Sequence, residues 1–279
     1  MARVSVTGGT GVLGRAVVRL LAAQGATVRV LSRHPRVTVE GAQIIVGDLT
    51  TGRGLDQALT GADTVLHLAT NPFRPRRVDI AGTRRLVEAA RRSGQPHLIY
   101  VSIVGVDRIP WPYYRAKLAT EQIVAASGLP WTIQRTTQFH DLVLFALWSA
   151  ARPPLAFVPR GVQGQPVDVR DVATRLVTLI GQHRVGLADH LGGPQVLSAV
   201  ELMRMMLGGY GIRKPIVSVP LVGRAARGFM AGHHLTPEHA EGTRTFAAYL
   251  ADRVQRDHGR RRVDVPYYLP SGRRGSNRR

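Results

Sequence analysis

The feature that most constrains the fold is a glycine-rich turn near the start of the chain, VTGGTGVLGR over residues 6–15. It lies between an apolar strand pattern and a run of apolar residues at helical spacing. Gly9, Gly11 and Gly14 fit the spacing G-x-G-x-x-G. Replacing the first of them by Gly8 gives the related spacing T-G-x-x-G-x-x-G. A strand, a glycine turn and a helix in this order predict a backbone that holds a pyrophosphate at the amino end of the helix.

Each glycine has a physical reason in this interpretation. One allows a tight turn with positive φ, another leaves no side chain between the backbone and the pyrophosphate, and the last lets the helix pack closely on the strand. The alternative is an ordinary strand-to-helix turn that is rich in glycine. The residues predicted to contact the phosphates are Gly8, Thr10, Gly11, Val12, Leu13 and Gly14.

The first half of the chain alternates strand and helix patterns. Such alternation favours parallel strands covered by helices on both faces. It predicts an α/β fold, a Rossmann-like doubly wound parallel sheet with ligands at the carboxyl ends of the strands. The predicted strands are residues 4–6, 27–31, 43–46, 63–69, 97–101 and 131–134, and the predicted helices are residues 12–24, 78–92 and 113–127.

The regular alternation weakens after about residue 135. The patterns there predict a strand over residues 167–169 and helices over 139–151, 172–180, 197–207 and 244–254. We expect residues 1–260 to form a single NAD(P)-binding domain, in which residues 136–260 mainly build a small C-terminal substrate lobe. Residues 261–279 are rich in arginine, and we expect a basic, flexible tail.

Composition removes several classes of protein and of site. Of the 279 residues, 44% are hydrophobic, which is enough for a large core, and none is cysteine, which excludes disulfides and thiolate chemistry. The spacing of His233, His234 and His239 does not match a metal site, so we expect no metal. No apolar run reaches the roughly 18 residues that span a bilayer, and the N-terminus lacks a signal-peptide pattern. We therefore expect a cytoplasmic protein without a membrane partner.

The net charge of +20 raises the question of a nucleic-acid partner. The positive residues are scattered and no nucleic-acid-reading motif accompanies them, so we do not expect specific nucleic-acid binding. A positive field does favour an anionic cofactor or small-molecule substrate. The sequence does not decide whether the protein forms a homo-oligomer.

The end of the second strand indicates the type of nucleotide. A carboxylate there would bind the ribose 2′-hydroxyl of NAD, but this chain has Ser-Arg-His at residues 32–34. An arginine forms forked hydrogen bonds to a 2′-phosphate, so Arg33 favours NADP(H) over NAD(H), unless it is merely one of many surface arginines. Asp48, after the third strand, is placed either to accept from an adenine amino group or to cap a helix beside Thr50 and Thr51.

Tyr113 and Lys117 are the candidate acid/base pair. They are four residues apart on a predicted helix, so they share one helix face. A nearby ammonium stabilises a tyrosinate and lowers the pKa of the tyrosine from about 10 toward neutral pH. The alternative is a surface helix with a cation–π or packing pair, and Tyr114 offers a competing register that would leave Tyr113 without a role. Ser102, at the end of the fifth strand, is either a hydrogen-bond donor to a substrate carbonyl or an ordinary strand-end serine.

Two further candidates follow the sixth strand, where the sheet edge faces a ligand. Phe139 could line an apolar substrate pocket, or it could belong to the core or to a dimer contact. His140 could orient the substrate or relay a proton, or it could be a half-exposed loop residue beside a capping Asp141.

These segments resemble the atypical short-chain dehydrogenases/reductases of the NmrA-like, NAD(P)H-binding group. The resemblance covers about residues 1–250 and implies a Rossmann-like fold with a small substrate lobe. The matching residues are TGGTGVLG (7–14), GDL (47–49), HLA (67–69), YVS (100–102), Tyr113 with Lys117, SGLPWTI (127–133), Arg135 and VDVRDVA (167–173).

The resemblance also implies roles for individual residues. Leu49 belongs with Asp48 to a cofactor-binding motif, Ala69 and Thr70 line the nicotinamide side, and Lys117 binds the nicotinamide ribose. The main functional hypothesis is an NADPH-dependent oxidoreductase that reduces a carbonyl or quinone-like molecule, with Tyr113 as proton donor. Because the group contains both enzymes and proteins that only bind the nucleotide, a non-catalytic nucleotide sensor is an alternative. An epimerase or dehydratase that uses the nucleotide transiently is another.

Overall fold

The computed structural model describes residues 1–182 and 185–257. The tail predicted over residues 261–279 lies outside this part of the chain. The strands are β1 (Arg3–Thr7), β2 (Thr27–Ser32), β3 (Ala42–Val46), β4 (Thr64–His67), β5 (His97–Ile103), β6 (Trp131–Thr136), β7 (Ala156–Pro159), β8 (Gln163–Gly164), β9 (Gly186–Leu187), β10 (Leu197–Ser198) and β11 (Ile216–Val219). The helices are α1 (Val12–Ala23), α2 (Leu55–Leu59), α3 (Gly82–Arg92), α4 (Pro112–Ala125), α5 (His140–Ala150), α6 (Val169–Gln182), α7 (Ala199–Gly209), α8 (Arg224–Met230) and α9 (Phe246–Arg256), with a π-helical turn at Arg76–Ala81 and a 3-10 turn at Pro237–His239.

The main sheet has seven parallel strands in the order β3-β2-β1-β4-β5-β6-β9. Residue Thr7, at the end of β1, lies between Leu31 of β2 and His67 of β4. The chain runs outward from β1 first on one side and then on the other, so the strand order reverses between β1 and β4. This arrangement confirms the doubly wound fold, and the reversal point is where such sheets bind ligands.

Helices cover both faces of the sheet. On one face α1 and α6 enclose a core that includes Val6, Val17 and Leu176, each fully buried. On the other face α2, α3 and α4 enclose a second core that includes Leu59 and Leu86. Burial on both faces fits β5, in which the buried residues Leu98, Ile99, Tyr100 and Val101 are consecutive.

A third core lies in the second half of the chain, between α5, α7, α9 and β7. Leu144, Met203 and Phe246 are buried at its centre. The sequence patterns missed β7 and β11, which pair in parallel, because four-residue strands carry little periodicity. The third core uses only part of residues 136–260, since α6 and β9 belong to the main sheet and its helical layer.

One predicted strand is wrong. Over residues 167–169 the structure has only a single bridge, from Val167 to Phe139, and α6 begins at Val169. The alternating valines that suggested a strand are instead the buried approach to the helix, where Asp168 accepts a hydrogen bond from the Arg170 amide at 2.9 Å.

A buried ion pair fixes α4 to the sheet. The Arg135 guanidinium on β6 donates to both carboxylate oxygens of Glu121 on α4, at 2.9 and 2.7 Å, and to Asp107 at 3.0 Å. Burial opposes the charge, but the hydrogen bonds and charge of Glu121 prevail and raise the pKa of Arg135. The forked pairing therefore sets the position of α4, which carries Tyr113 and Lys117.

We expect Arg135→Met to lower the free energy of unfolding by about 3 kcal/mol, because it leaves the Glu121 carboxylate buried without its main partner. Urea unfolding measures this loss. The double variant Arg135→Met with Glu121→Leu serves as the control, since two apolar residues at these positions should recover part of the stability. Equal stability of the single variant and the wild type would contradict the prediction.

Candidate active site

The glycine turn rests directly on the loop that follows β4. Gly8 has φ +74, and a Cβ atom there would lie 2.6 Å from the Ala69 nitrogen and 2.7 Å from the Leu68 carbonyl carbon. The turn closes with a hydrogen bond from the Gly11 amide to the Gly8 carbonyl at 3.0 Å. Both the left-handed backbone and the close approach require glycine at this position.

Gly14 packs the helix against the turn itself. A Cβ atom on Gly14 would overlap the Gly8 carbonyl oxygen and lie 2.5 Å from the Gly9 Cα. The expectation that this glycine serves helix–strand packing is therefore corrected to helix–turn packing. Helix α1 starts after Gly11 with no side-chain cap among the described residues, so its first amides have no side-chain acceptor there. Such an uncapped helix start behind glycines fits the diphosphate of a nucleotide.

The other residues of the glycine turn that were predicted to bind the cofactor differ in how far their side chains are buried. Leu13 is buried in the core below the sheet, so it could meet a ligand only through its backbone. Thr10 and Val12 are half-buried, and the Thr10 carbonyl accepts from the Arg15 side chain at 3.1 Å.

The ends of β2 and β3 carry an arginine and a carboxylate. The Ser32 hydroxyl accepts from the His34 amide at 3.1 Å and shapes the turn in which Arg33 is exposed. Asp48 accepts from the Thr50 amide at 2.8 Å and the Thr50 hydroxyl at 2.9 Å. Burial would raise the pKa of Asp48, but these hydrogen bonds and the charges of Arg33 and Arg77 lower it.

Asp48 thus caps a turn and not a helix, because α2 starts much later, after Gly54. Its predicted contact with adenine stays a prediction. Leu49 is 6% exposed, and its side chain fills the space beside Gly82, where a Cβ atom would lie 2.8 Å from the Leu49 Cγ. Leu49 therefore has little side-chain surface to offer a cofactor.

A directional chain of hydrogen bonds runs through His67, which is fully buried. Thr83 donates its hydroxyl proton to the Asp79 carbonyl, so it accepts from His67 Nε2, 2.8 Å away. The imidazole then carries its proton on Nε2, and Nδ1 accepts from the Thr7 hydroxyl at 2.7 Å. Burial, with the Lys117 charge as a second cause, lowers the pKa of His67 to about 3. The neutral ring ties β1, β4 and α3 together under the glycine turn.

Lys117 points its ammonium at the fifth strand. Nζ donates to the Val101 carbonyl at 2.7 Å and lies 4.2 Å from the centre of the Tyr100 ring. Burial lowers the pKa of Lys117 to about 8, although the charges of Asp79 and Glu121 oppose the shift. The ammonium is held by strand contacts, so its pairing with Tyr113 and its grip on a ribose stay predictions.

The structure separates the two neighbouring tyrosines. Tyr114 is 8% exposed, its ring packs edge-on against Phe229, and burial raises its pKa to about 12. Tyr113 is half-buried, and its hydroxyl lies 2.7 Å from the hydroxyl of Thr70, which is exposed just beyond β4. Tyr113 is therefore the tyrosine that faces the carboxyl edge of the sheet.

The glycine turn matches a family of known sequences. A family model described as NAD(P)H-binding matches residues 8–182, well over half of the chain. The chain belongs to this NAD(P)H-binding family.

Relatives within and around the family include reductases. The chain is 34% identical over 206 residues, 70% of each protein, to the (4-alkanoyl-5-oxo-2,5-dihydrofuran-3-yl)methyl phosphate reductase of Streptomyces griseus. It is 28% identical over 235 residues, 81% of this chain and 80% of the other, to the NAD(P)H azoreductase of Xenophilus azovorans. The NADPH-dependent quinone oxidoreductase QOR2 of Escherichia coli, solved with NADPH, superposes with a TM-score of 0.73 at 19% identity, over 90% of this chain and 99% of that one. The family and its reductase relatives show that the chain is an NAD(P)H-dependent oxidoreductase.

In this NAD(P)H-binding protein, the sequence patterns missed Asp79. Its carboxylate is 1% exposed and accepts from the Thr70 hydroxyl at 2.5 Å and from the Asn71 amide at 3.1 Å. The signal was present, because Asp79 occupies the same helical stripe as Gly82, Leu86 and other buried residues. A carboxylate on an apolar stripe is rarely buried without a partner.

Ser102 lies at the end of β5, as predicted, but it is 2% exposed and its hydroxyl has no hydrogen-bond partner among the described residues. It shares a strand face with Tyr100, two residues earlier, which is also buried. Its contact with a substrate carbonyl stays a prediction, and it would need the site to open.

Phe139 and His140 lie in packed surroundings. His140 is 1% exposed, donates from Nε2 to the Pro166 carbonyl at 3.0 Å, and packs against Phe246 and Tyr249 at ring distances of 5.7 and 4.9 Å. This burial corrects the interpretation of His140 as a half-exposed loop residue, and its role toward a substrate stays a prediction. Phe139 is half-buried against the core beside α1 and α6, which matches its core alternative more closely than a pocket lining.

The buried His67 predicts an acid-sensitive fold. Its folded pKa of about 3 lies below the ordinary value of 6.5, so below pH 6.5 the unfolded chain takes up a proton that the folded chain does not. Stability should therefore fall as the pH falls. His67→Gln keeps hydrogen-bonding groups without the titration, and between pH 7 and 5 it should lose about 2 kcal/mol less than the wild type. Urea unfolding at the two pH values checks this, and parallel losses would refute it.

Proposed function

We propose that this chain reduces a carbonyl or quinone-like small molecule with NADPH, and that Tyr113 supplies the proton. The observation that carries the proposal is the position of the Tyr113 hydroxyl, 2.7 Å from Thr70 Oγ1. Thr70 directly follows Ala69, whose backbone contacts the glycine turn. The Tyr113 phenol is therefore linked to the loop that contacts the glycine turn, which supports its role as proton donor at the edge where doubly wound sheets bind ligands.

The nucleotide, when bound, supplies the hydride. The chain's own residues would bind and orient it: the free amides at the start of α1 hold the diphosphate, and Arg33 pairs with a 2′-phosphate. Lys117 contributes positive charge beneath the site at neutral pH, since its pKa of about 8 keeps it protonated there. Tyr113 then donates its phenolic proton to the substrate oxygen, where negative charge develops.

The surroundings of Tyr113 support an apolar or aromatic substrate. Phe73, three residues after Thr70, is 62% exposed, and Trp111, two residues before Tyr113, is 50% exposed. Trp111 is held in place by an edge-on contact with Phe229 at 6.3 Å. These exposed rings, close in sequence to Thr70 and Tyr113, favour flat, unsaturated molecules such as quinones and aryl carbonyls.

A panel of quinones, aldehydes and ketones tests the reaction by following NADPH oxidation. We expect Tyr113→Phe to lower kcat by about a hundredfold or more, because the proton donor is lost while the ring stays. Tyr114→Phe is the matched control, since its hydroxyl lies in the core, and it should retain kcat within about twofold. Unchanged turnover in Tyr113→Phe would remove the assigned role.

The same panel distinguishes the alternatives. A protein that binds NADPH and NADP⁺ tightly but oxidises NADPH with no member of the panel would be a nucleotide sensor. Co-purified nucleotide that never exchanges would indicate an epimerase or dehydratase.

The preference for NADPH over NADH has its own test. Arg33→Ala should weaken NADPH binding by about tenfold, because it removes a charge-assisted partner of the 2′-phosphate, and it should leave NADH binding unchanged. Titration calorimetry of both nucleotides measures the two affinities. Arg19→Ala removes the same charge from an exposed position on α1 and should change neither. Equal effects of Arg33→Ala on both nucleotides would contradict the preference.

A further inference from the structure

Tyr113 is connected to a buried carboxylate through one hydroxyl. The Tyr113 hydroxyl lies 2.7 Å from Thr70 Oγ1, and Thr70 Oγ1 lies 2.5 Å from Asp79 Oδ1. The second Asp79 oxygen accepts from the Asn71 amide at 3.1 Å. The exposed Thr70 hydroxyl therefore links half-buried Tyr113 to Asp79, which is 1% exposed.

The chemistry of these groups fixes the order of the protons. An ionised carboxylate only accepts, so Thr70 must give its single proton to Asp79. The Thr70 oxygen then has only lone pairs left for Tyr113, and the Tyr113 proton points at Thr70. Tyr113 is consequently held as a donor before any substrate arrives.

The position of Asp79 is itself unusual. It belongs to the π-helical turn Arg76–Ala81, which precedes α3 without a break. Its backbone carbonyl accepts from Thr83, the last member of the hydrogen-bond chain through His67. Burial raises the pKa of Tyr100 and the charge of Asp79 adds to that shift, whereas the same charge opposes the burial that lowers the pKa of Lys117, whose ammonium lies over the Tyr100 ring. π-helical turns are found often at functional sites.

We propose that Thr70 and Asp79 are positioning residues for Tyr113. They set the direction of its hydrogen bond to Thr70 in the resting state and again after Tyr113 has lost its proton. In the resting state Thr70 accepts the Tyr113 proton and donates its own to Asp79. After Tyr113 has given its proton to the substrate, the Thr70 hydroxyl rotates away from Asp79 and donates to the phenolate. This inference rests on the proposed function for its second state only.

Each bond that breaks in these steps is matched by a bond that forms. The Tyr113 O–H bond breaks as the O–H bond of the reduced substrate forms. Thr70 keeps its O–H bond and exchanges one acceptor, Asp79, for another, Tyr113. The phenolate takes its replacement proton from water once the product leaves, and the resting arrangement returns. In these steps Thr70 faces the phenol directly, and Asp79 lies behind Thr70.

The resting state can be tested without a substrate. In protein labelled with ¹³Cζ-tyrosine, Tyr113→Phe identifies the Tyr113 resonance, and its titration midpoint is then followed in Asp79→Asn. The asparagine removes a negative charge and can donate to Thr70, which turns the Thr70 proton toward Tyr113. Both effects favour the phenolate, so the midpoint should fall by about one pH unit. Glu88→Gln removes the same charge from the exposed face of α3 and should shift it by less than about 0.2 unit. An unmoved midpoint in Asp79→Asn overturns the inference.

A second pair of variants uses Thr70, which is exposed and tolerates change. Thr70→Ser keeps the hydroxyl and should retain kcat within about twofold, whereas Thr70→Val keeps the shape without it and should lose about tenfold. The two Thr70 variants should bind NADPH with similar affinity, measured by titration. Equal kcat values for Thr70→Ser and Thr70→Val would overturn the positioning role of Thr70. Loss of turnover in Tyr113→Phe tests the proposed function separately, because the titration midpoint needs no turnover.

Discussion

The neutral imidazole of His67 is the interaction on which the site depends. It accepts from Thr7 at the end of β1 and donates to Thr83 on α3, and Thr83 in turn donates to the Asp79 carbonyl. The end of β1, the neighbouring strand β4 and helix α3 are thus joined by one chain of hydrogen bonds with defined donors and acceptors. Protonation of the ring would reverse one of these bonds in a fully buried place, so the fold requires the uncharged form. This chain of hydrogen bonds lies in the interior of the α/β fold. No described helix is long and apolar enough to cross a bilayer.

Two features of the site follow from this chain. The first is the contact between Gly8 and the backbone of Leu68 and Ala69, which lies directly above His67 and leaves no space for a side chain. The second is the π-helical turn that holds Asp79 below Thr70. Together they place an uncapped helix start, an exposed hydroxyl and a tyrosine at the same edge of the sheet. The proposed nucleotide site and the proposed proton donor therefore adjoin one loop, residues 68–71.

The sequence predicts much of this arrangement, and the limits have physical causes. The glycine spacing, the strand–helix alternation and the helix with Tyr113 are local patterns, and the structure has them within one or two residues at most boundaries. The choice between Tyr113 and Tyr114 depends on which side chain meets Phe229 and which meets Thr70, and such long-range contacts leave no local pattern. His140 shows the same limit, because it is buried by the distant helix α9 and by the segment that contains Pro166. Asp79 was detectable as an acid on an apolar stripe, but its partners come from the loop after β4.

The central claim is that the nucleotide is a reactant at this edge and not only a bound signal. The most direct measurement is a single-turnover reaction with NADPH that carries deuterium on one or the other face of C4, with a quinone and an aryl aldehyde as acceptors. A fixed site presents one face of the nicotinamide, so only one of the two labelled forms should react more slowly and yield NADP⁺ that has lost its deuterium. Recovery of both labelled forms unreacted from the bound state, across all acceptors, would contradict the claim.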